Sequence, residues 1–130
     1  MAYEVSPYGT KITLVAGADL SALQYYFVKI NSSGQAIACA AATDQPIGIL
    51  QNAPIANQEA EILVAGGSKL VLGGTVTIGQ VVSPSSAGAG VAIANGTDTT
   101  KYGCGIALAG GASGETITAV VSLASAGRGA

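Results

Sequence analysis

Apolar and polar positions alternate along this chain in short bursts. Over residues 10–16, Ile12, Leu14 and Ala16 fall on one side and Lys11, Thr13 and Val15 on the other, the period of two that a half-buried strand imposes. Residues 24–30 (QYYFVKI) are aromatic and β-branched, with Tyr26, Val28 and Ile30 on one face and Tyr25, Phe27 and Lys29 on the other. The Ser32-Ser33-Gly34 turn leads into a hairpin partner over 35–39. Further strands are predicted over 47–50, 60–65, 68–72, 75–78, 80–83 and 116–123, the last with Ile117, Ala119, Val121 and Leu123 facing inward. Gly66-Gly67, Gly73-Gly74 and Gly79 punctuate the series. Asp19 is placed to cap one helical turn over 20–23, and no segment has the length and period of an ordinary helix. Strands of four to six residues between glycine turns predict an all-β domain, a small barrel or sandwich.

The chain also says nearly the same thing twice. PIGILQNAPIANQEAEILV (46–64) returns as GCGIALAGGASGETITAVV (103–121), with Gly48 answered by Gly105 and Glu59 by Glu115. The strand–turn–strand of 27–38 likewise returns over 81–94. A glycine inside a strand marks a bulge or a close approach of backbone, so its recurrence predicts the same local geometry in both copies. One domain follows, made of two pseudo-symmetric β-units (10–72 and 73–123) that each supply about half of the core, with an extended arm at 1–9 and a tail at 124–130.

Composition narrows the role. The 130 residues are 49% hydrophobic but only 9% charged, against about 25% charged for an ordinary soluble domain. A surface this neutral, rich in Ala, Gly, Ser and Thr, suits a protein much of whose exterior is covered by other subunits. The net charge of −2 and five scattered Lys and Arg residues leave no basic patch, which argues against nucleic acid as a partner. The start of the chain has neither the basic residues nor the apolar run of a secretory signal, so synthesis in the cytoplasm without export is expected. The uncharged stretch 70–97 is long enough for a membrane span but is broken by Gly73, Gly74, Gly79, Pro84, Gly88 and Gly90, and it reads as strands and turns.

The side chains that carry chemistry are scarce. Histidine is absent, which removes the commonest metal ligand and general base together. Cys39 and Cys104 are too few and too far apart for a metal knuckle or a disulfide framework and read as small buried fillers. Glu59 and Glu61 are two apart on one strand face, where a glycosidase would hold a carboxylate pair, but beside Asn57 and Gln58 they read as a solvated or subunit-pairing face. No P-loop lysine, dinucleotide fingerprint or nucleophile elbow is present. The hairpin VLGGTVTIGQVVSP is similar to that of lipoyl and biotinyl carrier domains, without their modified lysine. A structural protein without cofactor or metal is expected, not an enzyme.

Read from Asp19 to Leu123, the sequence resembles the capsid cement or decoration proteins of tailed bacteriophages. The residues that carry this are Asp19-Leu20-Ser21 before Tyr25-Tyr26-Phe27-Val28, the Ser33-Gly34 turn, the stretch PIGILQNAP at 46–54, Glu59-Ala60-Glu61-Ile62, Gly66 with Lys69, and Gly105-Ile106-Ala107-Leu108 before Gly114-Glu115. Gly79-Gln80 departs from the Gly-Asp that relatives often carry. The resemblance implies a homotrimer on the outside of the virion head that locks neighbouring major capsid protein subunits together. A tail, baseplate or head-fibre part is the alternative, and a small β-barrel ligand binder the more distant one. Expected capsid or subunit contacts are Tyr3 and Tyr8 in the arm, Tyr25 and Phe27 in the aromatic strand, and Glu59 and Glu61.

Overall fold

The computed structural model describes residues 9–94 and 96–123, together with the backbone of 127–128. Eleven strands appear in it: β1 (Thr10–Val15), β2 (Phe27–Ile30), β3 (Ala36–Ala38), β4 (Gly48–Leu50), β5 (Glu59–Val71), β6 (Val81–Pro84), β7 (Gly90–Ala92), β8 (Tyr102–Gly103), β9 (Gly105–Ala107), β10 (Thr116–Ser122) and β11 (Gly127–Arg128). Nine of them form one antiparallel sheet in the order β3-β2-β4-β5-β10-β9-β6-β7, with β1 beside β5, while β8 and β11 pair separately. The all-β class expected from the alternation is what the chain adopts.

That strand order is a palindrome, and the register repeats with it. Val28 faces Ala38 and Ile30 faces Ala36 across β2 and β3; 54 residues later Val82 faces Ala92 and Pro84 faces Gly90 across β6 and β7. Phe27–Ile49 and Val28–Gly48 become Val81–Ile106 and Val82–Gly105. Ile49–Leu63 and Leu50–Ile62 become Ile106–Val120 and Ala107–Ala119. Strand β5 serves both units: its first half pairs β1 as β10 pairs the second half of β5, so residues 66–72, which the sequence division put in unit one, belong with unit two. A single parallel bridge joins the ends of each curled half, Ala16 to Ala36 in the first and Leu72 to Gly90 in the second.

Gly48 and Gly105 explain why the duplication keeps glycine in a strand. A Cβ on Gly48 would run into the Leu63 carbonyl and the Ile62 side chain; one on Gly105 would run into the Val120 carbonyl and the backbone of Val121. Leu63 and Val120 are themselves counterparts, so the same close approach of β4 to β5 recurs between β9 and β10. The register that fixes it sets Glu59 against Thr116 and not, as the sequence alignment had it, against Glu115.

Three local expectations change. The strands predicted over 60–65 and 68–72 are one strand, because Gly66 adopts φ 126 and still pairs with Val121, bending β5 without interrupting it. Residues 75–78 form no strand: their backbone pairing is an isolated Val76–Gly111 bridge, and Val76 turns its side chain into the core. Residues 20–23 make a turn closed by Leu23 N–H to the Leu20 carbonyl (3.0 Å), not a helical turn, and Asp19 Oδ1 accepts from Ser21 N–H instead of capping a helix.

The core divides as the repeat does. Leu20, Val28, Leu50, Ala60 and Ile62 fill the first curl. Their counterparts Val76, Val82, Ala107, Ile117 and Ala119 fill the second, in a larger cluster that also takes in Phe27, Cys39, Ile49 and Leu63 from the outside of the first. The outer face of unit one is therefore packed onto unit two. Burying one such side chain stabilises by about 1.5–3 kcal/mol, so this junction holds the units as one body.

Candidate functional site

Among the described residues the expected contacts fall on different faces, Phe27 in the core and Glu59 and Glu61 on the surface of β5. Tyr3 and Tyr8 lie outside the described residues. Phe27 is fully buried in the core and presents no surface, which corrects its assignment as a contact: the outward face of β2 is the face covered by unit two. Glu59 and Glu61 do share an exposed face of β5, opposite Val15 and Thr13 of β1. Asn52 braces them, its side-chain amide donating to the Glu59 carbonyl (2.9 Å) and its oxygen accepting from Glu61 N–H (3.0 Å). Among the described residues no three of the types that ligate metals stand together.

Tyr25 is half-buried and holds φ 69, a left-handed conformation that costs a bulky L-residue about 1–2 kcal/mol. Its counterpart 54 residues on is Gly79, at φ 85, so the fold requires this conformation twice. Unit one meets the requirement with a tyrosine. Tyr25 N–H donates to the Leu50 carbonyl (2.7 Å), its carbonyl accepts from Val71 N–H (3.0 Å), and its ring packs against the large core cluster. Lys69 Nζ stands 5.6 Å from the ring centroid, within cation–π range. Ring and lysine form one wall of an open cleft of about 510 Å³ floored by Ala109, Gly110 and Ile117. Lys69 is the partner that reasoning along the strand missed, because strand β5 brings it there from 44 positions away.

Two carboxylates fasten loops. Asp44 Oδ2 accepts from Lys29 Nζ (2.9 Å), Ala40 N–H (2.8 Å) and Ala41 N–H (3.0 Å). The bond from Lys29 first, then that from Ala40, holds its carboxyl below the ordinary aspartate value. Asp98, the counterpart of Asp44, accepts from Ala94 N–H (2.8 Å) and pairs with Lys101, and its carboxyl is lowered by the backbone bond first. Cys39 and Cys104 are both free and buried, and burial pushes each thiol up to about 12, as expected of fillers.

The apolar surface is the feature that sequence reasoning passed over. Ile106 is 42% and Val120 45% exposed on neighbouring strands, and Val81 lies beside Ile106. In unit one, Ile12, Ile30, Pro46, Ile47 and Val64, with Leu123 from the end of unit two, line a mostly apolar groove of about 650 Å³ that also takes in Lys29 and Gln45.

No family model matches this chain, and no curated protein matches it. Among solved structures it is similar to the N base of the head fibre protein gp8.5 in bacteriophage phi29, with a TM-score of 0.62 and 15% identity, over 87% of this chain and 93% of that one. At that identity the likeness is one of fold, and it extends across both β-units.

Proposed function

We propose that this chain is a structural component of a tailed-phage virion, seated on the outside of the head as a homo-oligomer and bound to the major capsid protein. The observation that carries the reading is the fold shared with a phage head-fibre base over nearly the whole chain. The composition supports it independently: a surface low in charge, with an apolar groove and an apolar patch left open, suits a protein that is covered on assembly. Many copies on one lattice need only modest affinity each. The role requires no catalysis, cofactor, metal, nucleic acid or membrane.

Two forms of this role differ in what the bound protein does. A cement clamps neighbouring capsid subunits, as the sequence resemblance implies; a fibre base anchors something that projects, as the structural neighbour favours. The test is cosedimentation of the purified chain with heads that lack it, followed by a thermal release assay of the packaged genome. Saturable binding is expected. A rise in release temperature identifies a cement, and binding without that rise identifies a fibre base. Failure to bind heads at micromolar concentration overturns the proposal. Deleting residues 2–8 tests the arm: occupancy falls if Tyr3 and Tyr8 are anchors, while the melting curve of the domain stays as it was.

A further inference from the structure

The internal repeat buries one pair of surfaces and leaves the equivalent pair open. Within the chain, the outer face of unit one (Phe27, Ile49 and Leu63, each at most 2% exposed) covers the end of unit two, where Pro84, Cys104 and Val121 are buried. Backbone bonds stitch this junction: Phe27 N–H donates to the Gly88 carbonyl (2.9 Å), and Val71 N–H to the Tyr25 carbonyl (3.0 Å). A Cβ on Gly88 would stand 3.0 Å from the Phe27 carbonyl, so the turn before β7 is seated directly on β2.

Carrying each partner to its counterpart gives two solvent-facing surfaces. Phe27, Ile49 and Leu63 correspond to Val81, Ile106 and Val120, which form the apolar patch. Pro84, Cys104 and Val121 correspond to Ile30, Ile47 and Val64, which line the 650 Å³ groove, with Ile30 49% exposed. Gly88 corresponds to Gly34, whose Cβ direction meets nothing within 4 Å, and Val71 to Val15, 46% exposed. The two open surfaces are thus a matched knob and socket on a molecule that already joins the same pair once, with Leu123 lining the groove beside Val64.

We infer that a second copy of this chain docks here head to tail, its Val81–Ile106–Val120 patch entering the Ile12–Ile30–Ile47–Val64 groove of the first. The contact repeats between molecules the side-chain and turn contacts of the junction that joins the two units within one; the continuous strand β5 that also crosses that junction has no counterpart between molecules. Val81 N–H then meets the Gly34 carbonyl and Val15 N–H meets the Gly79 carbonyl, as Phe27 meets Gly88 and Val71 meets Tyr25 inside the chain. Such a contact is heterologous, so it closes into a ring or runs on as a filament, according to the rotation per copy. It does not rest on capsid binding and is tested on the isolated protein.

The test is complementation between two single variants of the full chain, followed by sedimentation velocity or native mass spectrometry. Ile106→Glu spoils the patch and keeps the groove; Ile30→Glu spoils the groove and keeps the patch. Both side chains are more than 40% exposed, so the melting curves should match the parent, and Val120→Glu gives a second patch variant should Ile106→Glu unfold. The parent is expected to show multiples of 12.6 kDa at about 100 μM, and each variant alone a single 12.6 kDa species. An equimolar mixture should give a dimer and nothing larger, since one intact patch and one intact groove remain. A monomeric parent overturns the inference, as does a parent oligomer that Ile30→Glu leaves intact, or two monomeric variants that fail to combine. A monomeric parent that associates once residues 2–8 are deleted would show the chain's own first segment to be the occupant, and would equally overturn it.

Discussion

Adding one methyl group at Gly105 should test the repeated geometry most sharply. The new Cβ would meet the Val120 carbonyl, and at 2.9 Å both the Cα and a methyl of Val121. Two of those neighbours are backbone atoms of the adjoining strand β10, which cannot swing aside as a side chain end can. Overpacking a well-filled core costs about 1–3 kcal/mol, and a clash with paired backbone belongs at the upper end, about 3 kcal/mol. For a domain of this size that lowers the melting temperature by roughly 10–15 °C. Gly48→Ala meets the equivalent carbonyl, that of Leu63, and should cost the same within about 1 kcal/mol if the units are true repeats. Gly74→Ala is the control. Its nearest neighbour is a Val91 methyl at 3.5 Å, an ordinary contact, so the change should be neutral or stabilise by about 0.4–1 kcal/mol through the unfolded state. Thermal and urea melts of the three variants decide the matter. A Gly105→Ala protein that melts within 3 °C of the parent, or no hotter a melt for Gly74→Ala than for Gly48→Ala, would refute the reasoning.

Asp44→Ala should destabilise by about 1–2 kcal/mol at neutral pH, because two backbone N–H groups and Lys29 lose their acceptor. The carboxyl lies below its ordinary value of 3.8 in the folded chain, so its contribution is complete above that value and disappears as pH falls through the lowered one. Urea melts of parent and variant should therefore converge as the pH is taken down below 3.8, and a gap that stays constant with pH would contradict the assignment. Asn57 holds φ 69 at the position where unit two has Gly114, so Asn57→Gly should be near neutral and Asn57→Ala should cost about 1 kcal/mol, read from the same melts. Cys39 and Cys104, with thiols raised to about 12, should resist a thiol reagent at pH 8 until denaturant is added; rapid labelling of the native protein would show the junction between units to be open.

Much of this fold could be read along the chain because a strand carries its own period. The inward set Ile117, Ala119 and Val121, the glycine pair at 48 and 105, and the turn at 32–34 all follow from alternation and turn chemistry, and each is where expected. What failed was local reading of features that tertiary context decides. Gly66-Gly67 looks like a break, yet one residue at φ 126 lets β5 bend and continue, which is how a single strand comes to serve both units. Residues 75–78 alternate like a strand, but they occupy the place that the 20–23 turn holds in unit one. Alternation placed Phe27 on the face opposite Val28 and could not tell that this outward face is the one unit two covers. The Val81–Ile106–Val120 patch was missed for the reciprocal reason: its counterparts Phe27, Ile49 and Leu63 are covered by unit two, whereas Ile106 and Val120 have no such unit over them among the described residues.

The claim that this chain belongs on the outside of a phage head is tested most directly by adding it back to heads that lack it and mapping the result by cryo-electron microscopy. The account predicts new density on the exterior at symmetry-repeated sites, into which the nine-stranded sheet fits with adjacent copies in contact. Heads whose exterior is unchanged at saturating protein, or density confined to the tail, would contradict it.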